Sequence, residues 1–151
     1  MFQDHVCSEV KTRLESDTGT GGLYNPSSPL LLAVYPWGLS GESPPRPYAT
    51  IQHVGTTNDE VFDANATAMT VSFQVDIWAD RDDGYTDHVA AQSRVSTMLR
   101  RWNGMADATA EGVTWKASAV FVTGIINDMG VESTSLRTTY NCEVSFSRVS
   151  S

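Results

Sequence analysis

The chain has 151 residues, with 18 acidic against 10 basic side chains and a formal net charge of −8. This length suits one domain, because a chain of this size buries roughly 68–70% of the surface it exposes when unfolded. The acidic excess argues against gripping nucleic acid through a basic surface, since phosphate contacts need clustered Lys and Arg.

Residues 2–15 read as a short amphipathic helix. Phe2, Val6, Val10 and Leu14 recur every four residues among charged neighbours. It stops before Ser16-Asp17-Thr18-Gly19-Thr20-Gly21-Gly22, which is loop material. That glycine run lacks the lysine and the strand-to-helix context of a phosphate loop, so a flexible connection over about 16–29 is expected. Leu30 to Tyr35 is a compact apolar run between Pro29 and Pro36 and predicts a buried strand. Pro44, Pro45 and Pro47 make about 38–46 an extended connector, since proline fixes φ and removes a donor.

Tyr48 to Val54 predicts the second strand, and 55–68 a long polar hairpin loop that projects as an arm. The clearest local signal follows. Along Thr70 to Ala79, Val71, Phe73, Val75, Ile77 and Ala79 alternate with Thr70, Ser72, Gln74, Asp76 and Trp78. That is a strand with one face on a core and the other largely wet. Asp80 to Gly84 reads as a polar turn. A helix over about 84–102 then carries Tyr85, Val89, Val95, Met98, Leu99 and Trp102 as its core-facing stripe. Asn103-Gly104 is its expected stop.

A further strand from Val113 puts Val113, Trp115, Ala117, Ala119 and Phe121 on one face. Val120 and Val122 on the other suggest that its second half is covered on both sides. Asn127 to Gly130 reads as a turn. Leu136 to Arg148 is the cleanest period-two pattern of the chain. The order α, β, β, β, α, β, β predicts an α+β fold: a mainly antiparallel β-sheet with the N-terminal helix and the one long helix packed on one face. The other face is rich in Thr, Ser, Gln and Asn. Trp78 projects among them, either as an interface anchor or as an ordinary partly covered tryptophan.

Catalytic signals are absent. No Gly-x-Ser-x-Gly, Cys-x-x-Cys, His-Glu-x-x-His or dinucleotide fingerprint occurs. His5, His53 and His88 sit in separate segments. Asp80, Asp82, Asp83, Asp87 and His88 form the one metal-like cluster. Counted from Asp80 as a calcium loop, position five is Gly84 and position twelve is Ala91, where ligands are required. Cys7 and Cys142 make no disulfide framework and read as small apolar residues. No catalytic, metal or cofactor site is therefore expected. No apolar run of ~18 residues predicts a membrane span, and no basic-then-apolar start predicts a secretory signal.

The segments Pro47-Tyr48-Ala49-Thr50-Ile51-Gln52-His53-Val54 and Val71-Ser72-Phe73-Gln74-Val75-Asp76-Ile77-Trp78-Ala79, followed by the helix from Tyr85 to Trp102, carry a resemblance. The chain resembles the tail completion, or tail terminator, proteins of long-tailed bacteriophages and related gene-transfer particles. The match spans most of 1–148 in order and is strong over about 47–54 and 70–102. It implies one domain over 1–151 and a non-enzymatic virion protein at the head-proximal end of the tail, made in the host cytoplasm. It also implies a homo-oligomeric ring, commonly a hexamer. Such a ring caps the tail tube, ends tube polymerisation and meets the head-side connector, with DNA passing through its lumen without specific binding. The implied partners are other copies of the chain, the tail tube protein and the connector, with no membrane and no cofactor. On this reading Asp59, Glu60 and Asp63 in the 55–68 loop line the lumen, where like charge disfavours sticking, and Trp78 is an interface candidate. Another head–tail joining or tube subunit, or an unrelated soluble binding module, is the alternative.

Overall fold

A computed structural model describes residues 2–36, 45, 47–58, 68–110, 112–128 and 135–149, with the backbone alone at Asp83. The elements are α1 (Gln3–Glu15), β1 (Ala33–Pro36), β2 (Tyr48–Asn58), β3 (Ala68–Asp80), α2 (Arg81–Leu99), β4 (Ala108–Ala110), β5 (Val113–Ala117), β6 (Phe121–Asp128) and β7 (Ser135–Arg148). Among the described residues they form an α+β fold around one seven-stranded sheet. Its order is β1-β2-β3-β7-β5-β4, with β6 paired to β7 beside β5. Only β1 joins in parallel; the other pairings are antiparallel. No helix among the described residues is long and apolar enough to cross a membrane.

β3 is the centre of the sheet, bonded along its length to β2 and β7. Its alternation has the expected phase: Val71, Phe73, Val75, Ile77 and Ala79 are buried on the helix side. Leu136, Thr138, Tyr140, Cys142, Val144 and Phe146 of β7 are buried on the same side. α1 lays Val6, Val10 and Leu14 onto this face, and α2 adds Ala91, Val95, Met98 and Leu99. Arg13 joins the helices: its Nε donates to the Met98 carbonyl at 3.0 Å and its guanidinium lies over Trp102. Phe2 closes one end of the core, stacked 4.9 Å from Phe146 and edge-on to Trp115.

Several expectations are corrected. β1 holds only four residues, because the amides of Leu30 and Leu31 donate to the Leu23 carbonyl instead of to a sheet neighbour. The connection over 16–32 is pinned to the core. Leu23 is buried, its N–H donates to Asp17 Oδ2, and Asp17 is clasped by Arg94 of α2. β2 and β3 extend further than expected, so 55–58 is strand paired with 69–72. α2 begins at Arg81, so the supposed turn 80–84 is its N-cap and first turn. It ends at Leu99; Arg100 is already extended and Arg101, at φ 55°, makes the left-handed step expected of Asn103-Gly104.

The strand predicted from Val113 breaks. Ser118 still donates its N–H to the Ser145 carbonyl, but Val120 turns inward and bonds to the Trp102 carbonyl. The chain re-enters the sheet one position out of phase, so Phe121 faces solvent. The second half is therefore not covered on both sides. β4 forms ahead of the strand predicted from Val113, where the sequence reading placed no strand, and Asn127 and Asp128 continue β6 instead of turning.

Candidate interaction surface

The face of the sheet away from the helices is not uniformly wet. Register places Tyr48, Trp78 and Arg137 side by side on β2, β3 and β7. Tyr48 stacks on Trp78 at 6.1 Å, Tyr35 of β1 meets Tyr48 edge-on at 5.9 Å, and the Arg137 guanidinium sits 4.9 Å over the Trp78 ring. Planar cations favour such ring faces. Trp78 is therefore half-buried in a row instead of projecting alone, and its indole Nε1–H is buried without an acceptor among the described residues.

Two residues further along, Thr50, Asp76 and Thr139 form a second row, and all three are buried. Asp76 accepts from Gln74 Nε2 at 3.0 Å, from Arg137 at 3.4 Å and from the Thr139 hydroxyl. A buried carboxylate is tolerable only with such donors. Of the other predicted site residues, Asp59, Glu60 and Asp63 lie outside the described residues.

A surface that sequence reasoning missed lies where β6 meets α2. β6 has no strand on its outer edge among the described residues. It carries Phe121, Ile125 and Ile126, exposed by 52%, 41% and 59%. Pairing puts Ile126 opposite Thr139 and Ile125 opposite Tyr140, so they point to opposite faces of the sheet. Tyr85 and Val89 of α2, expected in the core stripe, are 57% and 43% exposed. On a helical wheel they stand about 80° and 120° from Val95, whereas position 88 stands only about 20° away. The stripe is thus His88, Ala91, Val95, Met98 and Leu99. Val89 leans over the β6 side, where Val89, Gln92, Ser93, Ile125, Asn127 and Tyr140 line a cleft of ≈ 370 Å³. Two signals were present in the sequence: that angular offset, and the adjacent Ile125-Ile126, which gives each face of one strand an isoleucine.

Under the cleft lies a polar network. His88 Nε2 meets Thr138 Oγ1 at 3.0 Å, Gln92 Nε2 donates to Thr138 and Asn127, and the Tyr140 hydroxyl donates to the Gln92 carbonyl at 2.7 Å. Burial lowers the His88 pKa from its ordinary value and raises that of Tyr140. His88 is therefore a neutral structural residue at pH 7, not a member of an exposed acidic cluster. His5 bonds to the Ala106 carbonyl and His53 to Thr56. Both cysteines are buried and not joined in a disulfide, and burial pushes the Cys142 thiol up to about 12, far from a thiolate nucleophile. Among the described residues no three His, Cys, Asp or Glu side chains group to hold a metal. What the surface offers is shape, an open strand edge and apolar area, the chemistry of association.

No family model matches the chain. No curated protein matches it. Solved structures do. A chain from the virion of a native gene transfer agent particle superposes with a TM-score of 0.59 over 94% of this chain and 94% of its own, at 12% identity. A second solved chain, whose description states no activity, superposes with a TM-score of 0.51 over 100% of this chain and 98% of its own, at 15% identity. At these identities the fold is what is shared.

Proposed function

We propose that the chain is a structural virion protein that caps the tail tube as a ring, ends tube polymerisation and presents a face to the head-side connector. The observation that carries this reading is the shared fold, end to end, with a chain of a gene transfer agent virion. The Pro47–Val54 and Val71–Ala79 resemblance to tail terminators points the same way. An open, apolar strand edge and deeply buried thiols suit a protein that works by association and not by catalysis. A heterologous contact that closes on itself yields a ring instead of a filament. The partners are other copies in a ring, commonly a hexamer, the tail tube protein and the connector, with DNA passing through the lumen unbound.

On this reading Asp59, Glu60 and Asp63 face the lumen, where their repulsion of phosphate acts within ~8 Å at physiological salt. The Trp78 row is the contact candidate on the outer face of the sheet. Light scattering at several concentrations, then with tail tube subunits added, tests the proposal. A discrete ring, or a monomer that arrests tube growth, is expected. Open-ended polymers would make the chain a tube subunit, and a monomer without effect on tubes would refute the virion role. Changing Asp59→Asn, Glu60→Gln and Asp63→Asn together should leave folding intact and impair DNA delivery; normal delivery would refute the lumen assignment.

A further inference from the structure

With Arg101 making the left-handed step out of α2, Asn103-Gly104 is left without the role its sequence suggests. It is the one Asn-Gly pair in the chain. Both residues are exposed and lie in the irregular stretch between α2 and β4. That stretch is held on either side of them. The Val120 N–H donates to the Trp102 carbonyl at 2.7 Å. On the other side Met105 is buried in the core, the Ala106 N–H donates to Glu9 Oε1 at 2.7 Å, and the His5 Nε2–H donates to the Ala106 carbonyl at 2.7 Å. Between these anchors, neither the Asn103 side chain nor the Gly104 N–H has a hydrogen-bond partner among the described residues. Glycine is required at 104, because a Cβ there would fall 2.7 Å from Trp102 Nε1. The indole cannot yield freely, since Trp102 is packed on the core beneath the Arg13 guanidinium.

We propose that Asn103 is a site of spontaneous covalent modification, in which the Gly104 backbone nitrogen attacks the side-chain amide carbon of Asn103. Asparagine side chains reach the backbone N–H groups that follow them. A glycine in that position leaves the approach unscreened by a Cβ. The Gly104 nitrogen gives up its proton and bonds to Cγ of Asn103; the Cγ–Nδ2 bond breaks, and ammonia leaves with the proton. Water then opens the five-membered succinimide at either carbonyl. Opening at Cγ leaves an aspartate. Opening at the main-chain carbonyl leaves an isoaspartate, with the backbone routed through the former side chain. No helix or ladder hydrogen bond has to break first, since the attacking nitrogen belongs to neither kind of element.

Other asparagines differ. Asn25 precedes Pro26, which has no N–H. Asn127 has its Oδ1 held by Gln92 and Thr138, and Asn141 lies inside β7. At position 103 either product sets a new carboxylate close in sequence to the exposed Arg100 and Arg101. Isoaspartate also lengthens the main chain by a methylene between the Trp102 and Met105 anchors. The change needs no second protein and does not reverse in water, so it marks each copy of the chain by its age.

The test uses the full chain, held folded in warm, mildly alkaline buffer beside a sample unfolded in urea. Peptide mass mapping and labelling by an isoaspartate methyltransferase follow the modification; anion exchange follows the added charge. Isoaspartate at position 103 should accumulate in the folded chain within a few-fold of its rate in urea, with ammonia released in step and faster as pH rises. Asn103→Gln alters an exposed side chain, so its circular dichroism should match wild type while the acidic species disappears. Modification confined to the urea sample would overturn the proposal, because the fold would then protect the pair. So would the absence of isoaspartate from both samples, or an acidic species that persists in Asn103→Gln.

Discussion

Replacing Arg94 with Met should destabilise the protein by about 2 kcal/mol at pH 7. Asp17 is almost wholly buried and accepts from Arg94 Nε at 2.9 Å, from Arg94 Nη2 and from the Leu23 N–H at 3.0 Å. Methionine keeps the aliphatic stem and removes both guanidinium donors. Removing one partner of a buried pair costs roughly 3–5 kcal/mol. The Arg94 side chain is 35% exposed against 5% for Asp17, so water reaches the vacated side and the cost is discounted to ~2 kcal/mol. For a chain of this length that lowers Tm by roughly 4–8 °C.

The pH dependence separates charge from packing. The Arg94 hydrogen bond, followed by the Leu23 N–H, holds the Asp17 carboxyl below its ordinary 3.8 against the opposing effect of burial. A lowered folded value means stability that is present above pH 3.8 and lost as pH falls through the folded value. The gap between wild type and Arg94→Met, followed by urea unfolding with circular dichroism, should therefore close as pH is taken from 7 toward 2. A gap under ~0.5 kcal/mol at pH 7, or an undiminished gap in acid, would refute the reasoning and assign the effect to packing of the stem.

Trp78→Phe should be nearly neutral, within about 0.5 kcal/mol in urea unfolding, because it keeps a ring between Tyr48 and Arg137 and deletes an N–H that is buried without an acceptor among the described residues. A loss above ~2 kcal/mol would mean that the indole nitrogen has a partner. His88 is buried with its pKa lowered by desolvation, so the unfolded chain takes up the proton first. Stability should be full above pH 6.5 and decline as pH falls from there toward the folded value. His88→Gln should lack that part of the decline when melting is compared at pH 7.5 and pH 5, and parallel declines would refute the assignment.

The period-two runs of β3 and β7 and the four-residue step of α1 were legible because each encodes a burial face in its own spacing, and the structure buries those faces. The α2 stripe was only half legible. Val95, Met98 and Leu99 are found by periodicity, but Tyr85 and Val89 share the chemistry of a core residue and differ only in angle, while His88 hides in the stripe as a polar residue satisfied by Thr138. The break at Ser118–Val120 carried no local signal, since it depends on the Trp102 carbonyl, reached only when α2 is docked. The same holds for the clasp of Asp17 by Arg94, formed by residues 77 positions apart.

The sequence by itself thus determined the α+β class, the central strand and which side of it meets the core, because alternation and helical period are local properties of the chain. Which strand is left at the edge of the sheet, and therefore which apolar side chains stay in solvent, only the tertiary structure decided. Exposure of a strand edge depends on what packs beside it, and nothing in the strand's own residues encodes a missing neighbour.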